Sequence, residues 1–69
     1  MSNLAKNFVL FSDQFGFPMY IADSEKSIMP ITDRQEEALH FEYGYDNPNT
    51  KLGYYSALTG YDLKIVEIN

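Results

Sequence analysis

ITDRQEEALHF, residues 31–41, carries the densest folding signal in the chain. Thr32 or Asp33 can serve as an N-cap. Gln35 or Glu36, three residues later, completes a capping box with either choice. Asp33, Glu36 and Glu37 crowd the first turn, and His40, the one histidine, falls in the last. Acid at the start and histidine at the end both suit the helix dipole. The pattern predicts a short helix over residues 33–40. Ala38 and Leu39, with Ile31 before them, give it a narrow apolar side, and Arg34 and Glu37 can pair on its wet side. Isolated helices this short are marginal in water, so packing has to hold it.

Upstream, residues 8–11 form a continuous apolar run, the pattern of a strand covered on both faces. Residues 12–16 read as a turn with Gly16 supplying a positive φ. Residues 17–22 return, with Phe17, Met19 and Ile21 on one face. A β-hairpin over residues 8–22 follows, and Pro18 argues for an edge position. Residues 27–31 offer a third short strand or extended loop, limited by Pro30, which also pushes Met29 toward extended geometry.

Downstream, residues 41–45 (FEYGY) fit either a strand fragment or a helix end stopped at Gly44. Asn47 and Pro48 are an N-cap and first-position pair, predicting a second helix over residues 48–58. Leu52, Tyr55 and Leu58, joined by Tyr54 and Ala57, form its apolar side. Gly53 within it implies a close backbone approach, and Gly60 a C-terminal stop. Residues 61–68 are the strongest strand, with Leu63 and Ile65 on one face and Lys64, Val66 and Ile68 on the other. Their mixed apolar content suggests a central or well-covered position. Gly44-Tyr45-Asp46 recurs as Gly60-Tyr61-Asp62, which reads as two loop exits built alike, each a glycine followed by a packed tyrosine.

These elements predict an α+β fold. A small antiparallel sheet, an N-terminal hairpin plus a C-terminal strand, carries one or two short helices on one face. Residues 1–69 form a single domain with residues 1–7 flexible. The expected core is Phe8, Leu10, Met19, Ile21, Leu39, Phe41, Leu52, Leu58, Ile65 and Val66. A chain of 69 residues buries only about 60% of the surface its unfolded form exposes. It has no cysteine for a disulfide or a thiolate zinc site, so five Phe and six Tyr must supply the core.

Ten acids against five bases give a net charge of −5. That balance opposes direct binding to nucleic acid or to an anionic membrane, and it suits a protein partner with a basic surface. No apolar run reaches the roughly 20 residues needed to span a bilayer, and residues 1–11 lack the pattern of an export signal. A cytoplasmic location is the expectation.

Candidate chemistry is sparse. His40 with Glu36 one turn earlier could be a base and its orienting carboxylate, but no nucleophile or oxyanion donor accompanies them. A surface pair closing a helix explains them better. Asp33, Glu36, Glu37, Glu42 and Asp46 concentrate within residues 33–46, where Arg34 is the one Lys or Arg. Glycoside chemistry would need a sugar cleft, and an EF-hand would need alternating ligands and a central glycine. A solvated acidic face remains, idle or docked on a basic partner. Tyr43, Tyr45, Tyr54, Tyr55 and Tyr61 are divided between core and surface, and exposed tyrosines are common interface anchors. The candidate partner surface is Asp33, Glu36, Glu37, Glu42, Tyr43, Tyr45 and Asp46. No catalytic residue, metal ligand or cofactor is expected. Pairing across a homodimer is left open at an edge near Pro18 or Pro30.

The order of features resembles small proteins of phages, prophages and plasmids of Gram-positive bacteria. The matching parts are residues 8–11, 18–22, 32–41 and 64–68. The stretch NPNTKLGYYSALTG departs from the Glu-, Ala- and Lys-rich second helix of that group. The resemblance implies an accessory protein of a mobile element and carries over no functional residue. Three functions follow as expectations: a non-enzymatic protein-interaction module, an acidic mimic of nucleic acid that inhibits a host enzyme, or a small hydrolase or metal-dependent enzyme.

Overall fold

The computed structural model describes residues 6–68. Residues 1–5, most of the stretch expected to be flexible, lie outside the described residues. Asn7 departs from that expectation, since it opens the first strand. Among the described residues there are five strands: β1 (Asn7–Ser12), β2 (Met19–Ile21), β3 (Ile31–Thr32), β4 (Phe41–Glu42) and β5 (Lys64–Ile68). One helix, α1 (Pro48–Thr59), lies between β4 and β5. The α+β class holds.

The hairpin forms, with Phe11 opposite Tyr20 and Ser12 opposite Met19. Gly16 takes φ +87° in its connection, where a side chain would be strained. β3 adds to the far side of β2, so β2 is interior and Pro18 sits just before the ladder instead of marking an edge. Pro30 leads into β3, and its carbonyl accepts from the Ala22 N–H at 3.1 Å. β5 pairs along most of β1 from the other side, Val9 opposite Val66. β1 is therefore the central strand. β5, expected to be central or well covered, has β1 as its one described strand partner and no fully buried residue.

The helix expected over residues 33–40 is not there. One 3₁₀ turn, Gln35–Glu37, takes its place, preceded by Arg34, which makes no side-chain cap. Thr32 still organises the turn. Its Oγ1 accepts from the Arg34 N–H at 3.1 Å and donates to Glu37 Oε1 at 2.8 Å. The sheet then takes the backbone that a helix would have used. The Asp23 N–H donates to the Glu37 carbonyl at 2.9 Å, and the Leu39 N–H donates to the Ile21 carbonyl at 2.8 Å. Phe41 pairs with Phe8 on β1. A two-turn helix gains few rungs for its costly nucleus, so the long-range ladder wins. His40 consequently finishes no helix and stands exposed between two strand pairings.

Segment 37–42 fills a fork in the sheet. Successive amides of the strand point to opposite edges, and the Ala22 and Asp23 N–H groups reach Pro30 and Glu37 respectively. Residues 37–39 thus lie on the edge of β2 that β1 has vacated. They run antiparallel to β2, through the Ala22–Ala38 bridge, while β4 runs antiparallel to β1. Because β1 and β2 are themselves antiparallel, the chain must turn sharply between Leu39 and Phe41, and the sheet curls there.

Phe8, Leu10, Ile21, Phe41 and Leu63 form the buried cluster. Leu39, Leu52, Tyr55 and Ile65 pack half-buried against it. Val9, on the opposite face of β1, is also fully buried, as a strand covered on both sides requires. Leu58 departs from the expected core and is 65% exposed. The docked stripe of α1 carries Leu52, Tyr55 and Thr59, and Leu58 falls beyond its rim. The helix itself begins and ends as its sequence dictates. Asn47 Oδ1 accepts from the Asn49 and Thr50 N–H groups at 2.9 and 3.1 Å, and Gly60 closes it at φ +75°. Gly53 has no neighbour within 4 Å of where a Cβ would sit, so no close approach explains it.

No residue of α1 is fully buried. A relay of rings holds it instead. Tyr43 packs on Phe8 at 4.8 Å between centroids, Phe8 stacks on Phe41 at 5.1 Å, and Phe41 meets Tyr55 at 5.8 Å. Each such pair adds to its area burial an offset or tilted electrostatic fit.

Candidate functional site

The seven residues singled out by the acid and tyrosine pattern fall into two groups. Asp33, Glu36 and Glu37 lie beside β3, on the outer side of the hairpin. Glu42, Tyr43, Tyr45 and Asp46 lie on β4 and the turn after it, at the N-terminal end of β1.

In the first group Asp33 and Glu36 are exposed, and Glu37 is half-buried and held by Thr32. Asp33 and Glu37 rim a groove of about 520 Å³ whose apolar lining includes Phe17, Met19, Met29 and Ile31. Phe17 and Met29 are 53% and 59% exposed, more than their apolar character predicts. A signal for them exists in the sequence. Each precedes a proline, which forces an extended backbone that cannot fold the side chain back by a helical turn.

The second group is a hydrogen-bonded turn. The Tyr45 and Asp46 N–H groups donate to the Glu42 carbonyl at 3.1 and 2.9 Å. Asp46 Oδ2 accepts from the Glu42 N–H at 3.0 Å, so the two residues clasp each other from both sides. Gly44 takes φ +98°, which this tight reversal needs. Asp46 also meets Lys51 on the first turns of α1 at 3.7 Å, and Asn47 caps that helix directly after. The reversal is thereby tied to both β4 and α1.

This turn sorts its two tyrosines. Tyr43 sits two residues after Phe41 and shares its inward face. Its ring lies on Phe8, and its hydroxyl is 3.5 Å from Glu67 on β5. Desolvation, and then the neighbouring Glu67 carboxylate, holds that hydroxyl above the ordinary tyrosine range. Tyr43 is thus a packing residue. Tyr45, at the apex, is 85% exposed. Of the repeated Gly-Tyr-Asp pairs, both glycines have positive φ, but only Tyr61 packs, edge-on to Phe15 at 5.1 Å.

Among the described residues no three His, Asp or Glu side chains converge as metal ligands, and no helix is long and apolar enough to cross a membrane. A second groove of about 250 Å³ lies between α1 and the end of β2. Its lining includes Ile21, Leu39, Pro30 and Leu58, with Ser24, Tyr55 and Thr59 as the side chains that carry a hydroxyl. The Thr59 hydroxyl is already committed to the Tyr55 carbonyl at 2.7 Å. Such a lining can hold an apolar side chain, and it brings no acid, base or nucleophile together. The chain matches no family model, no curated protein and no solved structure.

Proposed function

We propose that this chain is a small non-enzymatic protein-interaction module that docks through the turn at residues 42–46, with Tyr45 as its anchor. The supporting observation is Tyr45 itself: a large aromatic side chain, 85% exposed, at the apex of a turn fixed by reciprocal hydrogen bonds. An exposed ring leaves water at a gain when a partner covers it, and its hydroxyl can still bond. A turn already fixed loses little conformational entropy on docking. The exposed Glu42 beside it and the overall charge of −5 favour a partner whose surface is basic around an apolar pocket. In this reading the resemblance to phage and plasmid proteins fits an accessory role in a mobile element, acting in the cytoplasm on a host or element protein.

The test is a comparative affinity capture from a Gram-positive bacterial lysate. Wild type, Tyr45→Ala and a double change of Asp33→Asn with Glu36→Gln are run side by side. A defined protein should be recovered by wild type and by the double variant, and its recovery should fall about tenfold or more with Tyr45→Ala. Equal recovery by all three, or nothing above background, would sink the proposal. Loss with the double variant alone would move the docking surface to the acids beside β3.

A further inference from the structure

We infer that the outer edge of β5 is a self-association surface, on which β5 of a second copy pairs antiparallel about a two-fold axis at Val66. The inference is independent of the role given to Tyr45.

The register of β1 fixes which backbone groups of β5 face outward. The Lys6 carbonyl accepts from the Tyr43 N–H at 2.9 Å, so even-numbered residues of β1 direct their N–H and C=O toward β4 and β2. Asn7, Val9 and Phe11 therefore point the other way, to their partners Ile68, Val66 and Lys64 on β5. In an antiparallel ladder bonded residues alternate with residues whose groups face the opposite edge. Ile65 and Glu67 thus present their N–H and C=O on the far side of β5, where no described strand pairs. A row of unpaired donors and acceptors on an edge strand is a template for another strand.

Self-complementarity selects the occupant. Two strands related by a two-fold axis across an edge must cross at one residue, and that residue meets its own copy. An axis at Lys64 or at Glu67 sets like charges opposite. The axis at Val66 overlaps the whole of Lys64–Ile68 with itself. It sets Val66 against its own copy as a close pair without ladder bonds. Ile65 then faces Glu67 of the second copy, and the two exchange both N–H···O bonds. Lys64 faces Ile68, and no like charges meet. The charged side chains of β5 are also engaged within their own chain: Lys64 Nζ is 3.3 Å from Asp13 Oδ2, and Glu67 lies by the Tyr43 hydroxyl. Both stay exposed, on opposite faces of the sheet by the alternation of β5, so a strand added at the edge leaves them in water. No proline guards this edge, whereas Pro18 and Pro30 flank the opposite side of the sheet.

The experiment is sedimentation equilibrium over a wide concentration series, with amide hydrogen exchange at each end of it. Mass should rise from 8.0 kDa toward twice that value with concentration. In parallel the Ile65 and Glu67 amides should slow, while the Val66 and Ile68 amides, already bonded to β1, stay slow throughout. Val66→Lys sets two ammonium groups across the axis and should weaken association about tenfold or more, with the far-ultraviolet circular dichroism unchanged. A chain that stays monomeric at every concentration overturns the inference. So does a dimer in which Ile65 and Glu67 still exchange fast. The exchange pattern of the wild type decides the matter even if the variant fails to fold.

Discussion

Residues 31–41 and residues 47–60 both start from a side-chain oxygen that accepts a backbone N–H at the head of a turn: Thr32 Oγ1 from Arg34, and Asn47 Oδ1 from Asn49 and Thr50. The second becomes α1, twelve residues long, and the first stops after three. The difference lies in what the following backbone can reach. After Glu37 the chain runs beside the open edge of β2 and then of β1, where the Leu39 N–H finds the Ile21 carbonyl and Phe41 pairs with Phe8. After Asn47 no described residue before Lys64 pairs with a strand, and the backbone closes i→i−4 bonds instead. A cap states where a helix can begin. Whether it continues depends on what competes for the next four amides.

The comparison breaks most easily at Phe41. That side chain is 5% exposed and stacks on Phe8, and its backbone pairs with β1. Phe41→Ala should cost about 3–5 kcal/mol. A domain of this size holds only roughly 3–10 kcal/mol at 0.05–0.15 per residue, so the variant should lose roughly a third or more of its stability and unfold at a far lower urea concentration, followed by circular dichroism. Because the same ring meets Tyr55, helix and sheet signals should be lost together. Loss of the helix signal alone would show that the sheet at 37–42 stands without Phe41, and the account of why residues 33–40 leave the helix would fail.

Much of this architecture is written in short-range chemistry. The hairpin follows from Gly16 and the alternation of Phe17, Met19 and Ile21, and α1 from Asn47, Pro48 and Gly60. The missing part is long-range. Ala38 bridges Ala22 and Phe41 meets Phe8, and neither residue type announces a distant partner. The edge position of β5 is hidden for a related reason. Half-buried Ile65 and Val66 look the same in sequence whether one strand or two flank them. The candidate site was legible as a region and not as a set of roles. Reading residues 41–43 as a strand would have put Tyr43 beside Phe41 on the inner face and left Tyr45 to the turn. The helix-end alternative, held open at Gly44, blocked that step.

The α1 half of the comparison is tested locally. Asn47→Ala removes both cap bonds and should cost about 1 kcal/mol. Since no residue of α1 is fully buried, the loss should appear as faster exchange of the Asn49 and Thr50 amides, with β1 amides slowed or quickened little. Equal acceleration in β1 would mean that even this first turn, ahead of the Tyr55 contact, opens only together with the sheet.

Gly53→Ala carries the smallest expected effect and separates these two modes from the other direction. Gly53 is exposed, has no positive φ, and has nothing within 4 Å of an added Cβ. The methyl therefore meets no obstacle, and the gain comes from helix propensity and from a less free unfolded chain, about 0.5–1 kcal/mol. If α1 is held to the sheet by the Phe41–Tyr55 contact firmly enough to open with it, that gain is global. The melting temperature should then rise by roughly 2–8 °C, at 4–8 °C per kcal/mol for a domain this small. If the helix opens on its own, the melting temperature stays nearly fixed and only the amides of α1 slow. The ring relay predicts the first outcome, because Tyr55 reaches the buried cluster through the same side chain that pins β4 to β1.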